Sequence, residues 1–154
     1  MASDSGPAFR VWPPVAIGVP LLLGLLVSGL AGDPLAATSA TAWAGWALVA
    51  AFALWNGWAL VTIARHRTGL LPGSPTTVVI DHGPFALSRN PLYVGLLVAS
   101  AGMALVSAST WALVALPLEW ALLHWGAVVP EERYLTAKFG AAYTDYAGRV
   151  RRWL

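Results

Sequence analysis

The sequence contains no cysteine. Disulfides, thiolate metal sites and cysteine nucleophiles are thereby excluded, while the redox compartment stays open. Charge is scarce as well: 10% of the 154 residues are Asp, Glu, Lys or Arg, against about a quarter in ordinary soluble domains. The formal net charge of +2 is too small to point to a nucleic-acid partner. No Gly-x-Gly-x-x-Gly follows a strand pattern, so nothing suggests a soluble dinucleotide-type fold. The first apolar run also lacks the basic region of a cleaved signal. Met1 to Pro7 holds no Lys or Arg, and Val11 to Ala31 is uncharged throughout, so a retained span is expected. Internal repeats, low-complexity tracts and domain linkers are absent, and residues 1–154 read as one membrane domain.

What is present is apolar: 58% of the residues are hydrophobic, and nine are Trp. A soluble domain of this length could not hide so much apolar surface, which makes the bilayer the expected solvent. At about 20 residues per crossing, four spans are expected, at about 11–31, 42–64, 91–107 and 110–129. Ser107-Ala108-Ser109-Thr110 reads as a tight turn that makes the last two a helical hairpin. Pro130, Glu131 and Glu132 then open a C-terminal amphipathic helix, with acids at the positive end of its dipole. The fold class is an all-α integral membrane protein with an interfacial or cytoplasmic C-terminal helix.

The few charges are unevenly placed. Arg10 precedes the first span, and Arg65 and Arg67 follow the second. Arg89 precedes the third, and Arg133, Lys138, Arg149, Arg151 and Arg152 follow the fourth. The two short loops on the other side carry no Lys or Arg, so both termini and the 65–90 loop are expected in the cytoplasm. Trp12, Trp43, Trp46, Trp111 and Trp125 fall near the interfaces, as an aromatic belt would. Polar chemistry is expected at the cytoplasmic edge.

Two stretches there could carry it. In GPFALSRNPLYVG, Gly83 to Gly95, Asn90 suits an N-cap and Pro91 the first helical position. With Arg89 beside them, the free N–H groups of such a helix start can hold a carboxylate or phosphate. The plainer alternative is an arginine reaching to lipid headgroups. In PEERYLTAKFGAAYTDYAGRVRRWL, residues Glu132, Leu135, Phe139, Tyr143 and Tyr146 recur at spacings of three or four and share a helical face. Here the alternative is an interfacial helix with its basic residues on anionic lipid.

Taken in order and a hairpin apart, GPF-x3-RNP-x-Y-x-G and EE-x2-L-x3-FG-x2-Y-x2-Y-x3-V-x-RW resemble the isoprenylcysteine carboxyl methyltransferase family. Related bacterial proteins and the phospholipid N-methyltransferases share the pattern. The resemblance covers about 68–154, with Thr68-Gly69 and Pro72-Gly73 as its lead-in; the first two spans carry no motif. Many relatives have His where Asn90 stands and Pro where Arg151 stands, which leaves the substrate more open than the reaction. The resemblance implies methyl transfer from S-adenosylmethionine to a lipophilic acceptor at the cytoplasmic face of a bacterial inner membrane. Its first expectation is carboxyl O-methylation of an isoprenylcysteine-like substrate, and its second is N-methylation of a phospholipid amine. It places His82, Gly83, Pro84, Phe85, Arg89, Asn90 and Tyr93 on one wall of the cofactor site, and Glu131, Glu132 and Leu135 on the other. Arg149 and Arg152 are the catalytic candidates, as cations that could fix an acceptor carboxylate bidentately. Which acid meets which part of the cofactor is not readable at this stage.

Glu119, at mid-span, could border an acceptor tunnel or be hydrogen-bonded between helices. Asn56 reads as interhelical polar contact beside a small residue. His66 and His82 have no third ligand type nearby, and no metal is expected. The expected partners are the lipophilic substrate and membrane lipids, and a chain this small is compatible with a homodimer. Two other classes compete: a membrane reductase using a nicotinamide cofactor, since sterol reductases end in a similar pattern, and a non-catalytic protein whose basic rim binds lipid.

Overall fold

The computed structural model describes residues 6–69 and 74–154. Pro72 and Gly73 of the motif lead-in lie outside them. Among the described residues every regular element is helical. Helix α1 runs from Pro13 to Ala31 and α2 from Ser39 to Arg65. A 3-10 turn at Gly83–Ala86 leads to α3, Pro91–Val106. Helix α4, Thr110–Leu123, passes through one π-helical stretch at His124–Val128 into α5, Val129–Phe139. Helix α6 covers Ala141–Arg149.

Local chemistry explains most of these boundaries. Helix α2 begins three residues earlier than the apolar pattern suggests, because Thr38 and Thr41 form a reciprocal capping box. The turn before α4 is as expected: Ser109 Oγ accepts from Ala112 N at 3.0 Å and starts the helix. Two expectations need correction. The C-terminal helix is not separate from the last span, since α4, the π stretch and α5 form one 30-residue helical run from Thr110 to Phe139. It is also not one helix, because Gly140 at φ +55° interrupts it and turns α6 away as its own element.

Among the described residues three helical runs are long and apolar enough to cross a membrane: Pro13–Ala31, Ser39–Arg65 and Thr110–Phe139. Helix α3, with 16 residues, reaches only about 24 Å at 1.5 Å per residue and falls short of a full crossing by length.

The helices pack chiefly as two pairs, α2 with α3 and α1 with α4, and α3 and α4 also meet through their hairpin. Small residues allow the close approach. A Cβ on Gly45 would lie 2.7 Å from the Gly102 carbonyl, and one on Gly24 2.6 Å from the Ala112 nitrogen. In the α3–α4 contact Ser100 Oγ donates to the fully buried Glu119 at 2.9 Å, so this acid bridges helices, the second of its two readings.

The chain before α1 is tied down at the charged end of the bundle. The amides of Arg10 and Val11 both donate to the Gly126 carbonyl in the π stretch, at 2.9 and 3.2 Å. Pro7 is buried there. At the opposite end Asp33 accepts from Ser28 Oγ, Leu35 N, Thr110 N and Thr110 Oγ1, all within 2.7–2.8 Å. One carboxylate thus joins the end of α1 to the start of α4.

Candidate functional site

At the charged end the chain's last residues are stitched along the segment before α3. Arg89 N donates to the Arg151 carbonyl at 2.9 Å, and Asn90 Nδ2 to the Arg152 carbonyl at 2.9 Å. Tyr146 OH donates to the Phe85 carbonyl at 2.8 Å. Pro91 opens α3 as expected, but the Asn90 side chain makes no capping bond; its amide is used to anchor the C-terminal stretch instead.

This stitching places the charged groups together. Arg89 Nη1 lies 3.1 Å from Glu132 Oε1. Arg152 grips the same carboxylate bidentately, with Nε at 3.0 Å from Oε1 and Nη2 at 2.7 Å from Oε2. The cationic start of α3 and the acids opening α5 are therefore in direct contact. Two guanidinium groups share one carboxylate, which leaves a surplus positive charge. Arg89 Nε is buried without a partner among the described residues. The hydrogen bond to Glu132 raises the pKa of Arg152 further, so its charge is permanent. Burial, then the Glu132 charge, pushes the Tyr143 phenol up to about 12, and it stays protonated at neutral pH.

Glu131 is in a different situation. Tyr93 OH donates to its Oε2 at 2.8 Å, and among the described residues no Lys, Arg or His lies within ion-pair distance of it. The two adjacent acids are therefore unlike: Glu132 is saturated by cations and Glu131 has none.

Two adjoining cavities meet at this place. The smaller, of about 110 Å³, lies between the 76–80 segment and Leu135, Tyr143 and Tyr146. The larger, of about 320 Å³, runs between the chain before α1, α2 and α3, past Pro14, Leu60, Leu92 and Leu96. That volume falls within the range of small-molecule sites, about 300–1,000 Å³. Phe85, Arg89 and Glu131 line both.

Most of the expected wall is therefore assembled. Phe85, Arg89, Asn90, Tyr93, Glu131 and Leu135 line one cavity or both. Pro84 is buried behind Phe85, and Glu132 holds the two arginines rather than facing either space. Gly83 stands at φ +63° against Thr62 and Trp58. His82 lines neither cavity; its exposed ring lies against that of His66 at 4.8 Å. Arg149 also lies outside, mostly exposed and 3.7 Å from Asp81. Arg152 is near the join, but its guanidinium is taken by Glu132. Phe139, of the expected aromatic face, lines neither space.

Sequence reasoning missed the contribution of α2. Ile63 lines both cavities and Asn56 the larger one, while Trp55 Nε1 donates to the Pro91 carbonyl at 2.7 Å. The available signal was Trp55-Asn56-Gly57-Trp58, the polar interruption of an otherwise apolar helix.

Fold and site together define an all-helical membrane protein with a polar, ligand-sized site at one end of its bundle. The family model for phospholipid methyltransferase matches residues 40–142, and the chain belongs to that family, one of membrane methyltransferases. The match begins in α2, so the family region extends well before the motif-bearing half. No curated protein and no solved structure matches the chain.

Proposed function

We propose that this protein transfers a methyl group from S-adenosylmethionine to a lipophilic acceptor that enters sideways from the bilayer. The observation that carries this reading is the pair of cavities joined at Phe85, Arg89 and Glu131, one beside the polar tail and one among apolar helices. Two reactants of opposite character would meet at that join.

The residues present suit the donor. Its carboxylate matches the surplus positive charge at Arg89, whose Nε is buried and unpaired. Its nucleoside suits the apolar and phenolic side chains of Phe85, Leu135, Tyr143 and Tyr146. When bound, the cofactor supplies an activated methyl group, and the chain's own residues orient the reactants and exclude water. Such positioning is worth about 7–11 kcal/mol in favourable cases.

The resemblance puts an isoprenylcysteine-like carboxylate first among acceptors, with Arg149 and Arg152 to fix it. Arg152 is spent on Glu132, and Arg149 pairs with Asp81 away from both cavities. Glu131, at the join, has no cation of its own among the described residues and is free to accept from an N–H group. These placements favour the second acceptor, the amine of an amphiphile such as a phospholipid, in keeping with the family's description.

Calorimetry of the detergent-solubilised protein with S-adenosylhomocysteine and with NADPH tests the donor. Binding of the first alone is expected, and Arg89→Ala should weaken it at least tenfold while the protein remains folded. Binding of NADPH instead would move the protein to the reductases, and binding of neither would leave a non-catalytic lipid-binding role.

A further inference from the structure

We infer that His66 and His82 together form an exchangeable site for a divalent cation of the Zn²⁺ type, joining the end of α2 to the turn before α3. The site lies outside both cavities and stands independently of the methyltransferase reading.

Two of the chain's three histidines meet here from different elements. His66 caps the end of α2, and His82 directly precedes the 3-10 turn that starts at Gly83. Their ring centroids are 4.8 Å apart, with the planes inclined at 55°. Two imidazoles on one ion, with metal–nitrogen bonds of about 2.1 Å and an angle of roughly 90–110° between them, have ring centres about 4.5–5.2 Å apart. The observed separation falls inside that window.

The second observation is the tautomer each ring is given. His66 Nδ1 lies 2.8 Å from the Thr62 carbonyl, which can only accept, so the proton sits on Nδ1. Asp81 Oδ1 stands 3.6 Å from His82 Nδ1 and favours a proton on that nitrogen too. Arg149 approaches the other oxygen, Oδ2, at 3.7 Å and leaves Oδ1 to the histidine. In both neutral rings the lone pair is thereby on Nε2, ready for a metal. A backbone carbonyl behind one histidine and a carboxylate behind the other are the usual outer partners of metal-bound imidazoles. The His82 side chain is mostly exposed, so an ion can reach it from solution.

Imidazole suits Zn²⁺, Cu²⁺ and Ni²⁺, whereas Mg²⁺ and Ca²⁺ prefer oxygen ligands. Among the described residues no group of three or more His, Cys, Asp or Glu side chains is arranged to hold an ion. The protein therefore supplies two ligands and water the others, which makes the ion exchangeable rather than resident. The expectation of no metal looked for a third ligand, and an exchangeable ion does not need one. Ile63 stands one turn before His66 and Phe85 shortly after His82, and each lines both cavities. A bridging ion would brace the α2 side of the candidate site against the segment that carries Phe85 and Arg89.

The test uses the full, tag-free chain in detergent. Calorimetry should find one Zn²⁺ per chain, and Zn²⁺ should raise the thermal midpoint, while Mg²⁺ and Ca²⁺ do neither. Asp81→Asn, which keeps both ligands, should weaken Zn²⁺ about 10–100-fold, the usual worth of such an outer partner. His66→Ala and His82→Ala each remove a ligand and should cost more, abolishing the thermal response. Both should keep the wild-type midpoint in the presence of a chelator, so that the lost response reports the ion and not the fold. With Cu²⁺ the electron paramagnetic resonance spectrum should show two coordinated nitrogens in the wild type and fewer in either histidine variant. Unchanged Zn²⁺ affinity in either histidine variant would overturn the site. So would half an ion per chain with a doubled particle size, which would place the ion between two copies.

Discussion

Glu132 is where the start of α3, the start of α5 and the chain's last residues are held together, since Arg89 and Arg152 both bind its carboxylate. Glu132→Gln would preserve volume but leave two crowded guanidinium groups without a counter-charge. A loss of about 3 kcal/mol is expected, as for removal of one partner from a buried ion pair. Thermal unfolding in detergent would measure it, and a variant as stable as the wild type would show the pair to be ornamental. That Arg89, Glu131 and Glu132 matter was legible in the sequence, because ionised groups are rare in so apolar a chain and these three fall where two spans end. Their division of labour was not. Adjacent residues on a helix point about 100° apart, and which one meets the arginines depends on where the C-terminal tail lies, a long-range fact. For the same reason Asn90 looked like a cap and Arg152 like a free cation, whereas the tail claims the Asn90 amide and Glu132 claims Arg152.

At the scale of elements, the carboxylate of Asp33 acts as a distant cap for α4. Partial burial works against its ionisation, but hydrogen bonds from Ser28, Leu35 and Thr110 outweigh this and hold its pKa down at about 2, against an ordinary 3.8. A depressed carboxylate pKa stabilises the fold fully above the unfolded value. That contribution declines as pH falls below about 4 and is gone once it passes through about 2. The wild type should therefore lose thermal stability between pH 4 and pH 2 more steeply than Asp33→Asn, which should be less stable at neutral pH and flatter across the acid range. Parallel curves would remove Asp33 from the account. The helices themselves were largely legible, since apolar runs and flanking prolines fixed α1, α2 and the α3–α4 hairpin to within a few residues. The π stretch and the break at Gly140 were not. Neither changes hydropathy, and a glycine inside an apparent helical face gives no sign of whether the helix continues through it.

For the whole molecule, the crowding of positive charge at one end predicts that end in the cytoplasm. The native chain has no cysteine, so single cysteines can be introduced without background. Ala36→Cys, between α1 and α2, should react with an impermeant maleimide added to intact cells. Thr144→Cys, on the exposed side of α6, should react only after permeabilisation. The reverse pattern would turn the protein over and put the site on the wrong side for a cytosolic cofactor.

Two stretches far apart in sequence brace the candidate site. Pro7 borders the larger cavity, with the following amides held by Gly126, while the Arg151 and Arg152 carbonyls anchor the segment before α3. Extra sequence placed directly against either brace would pull on the candidate site itself, as weight hung from a door frame binds the door. The exposed Ala36–Ala37 stretch between α1 and α2, at the far end of the bundle, is where foreign sequence can be carried with the least strain on that site.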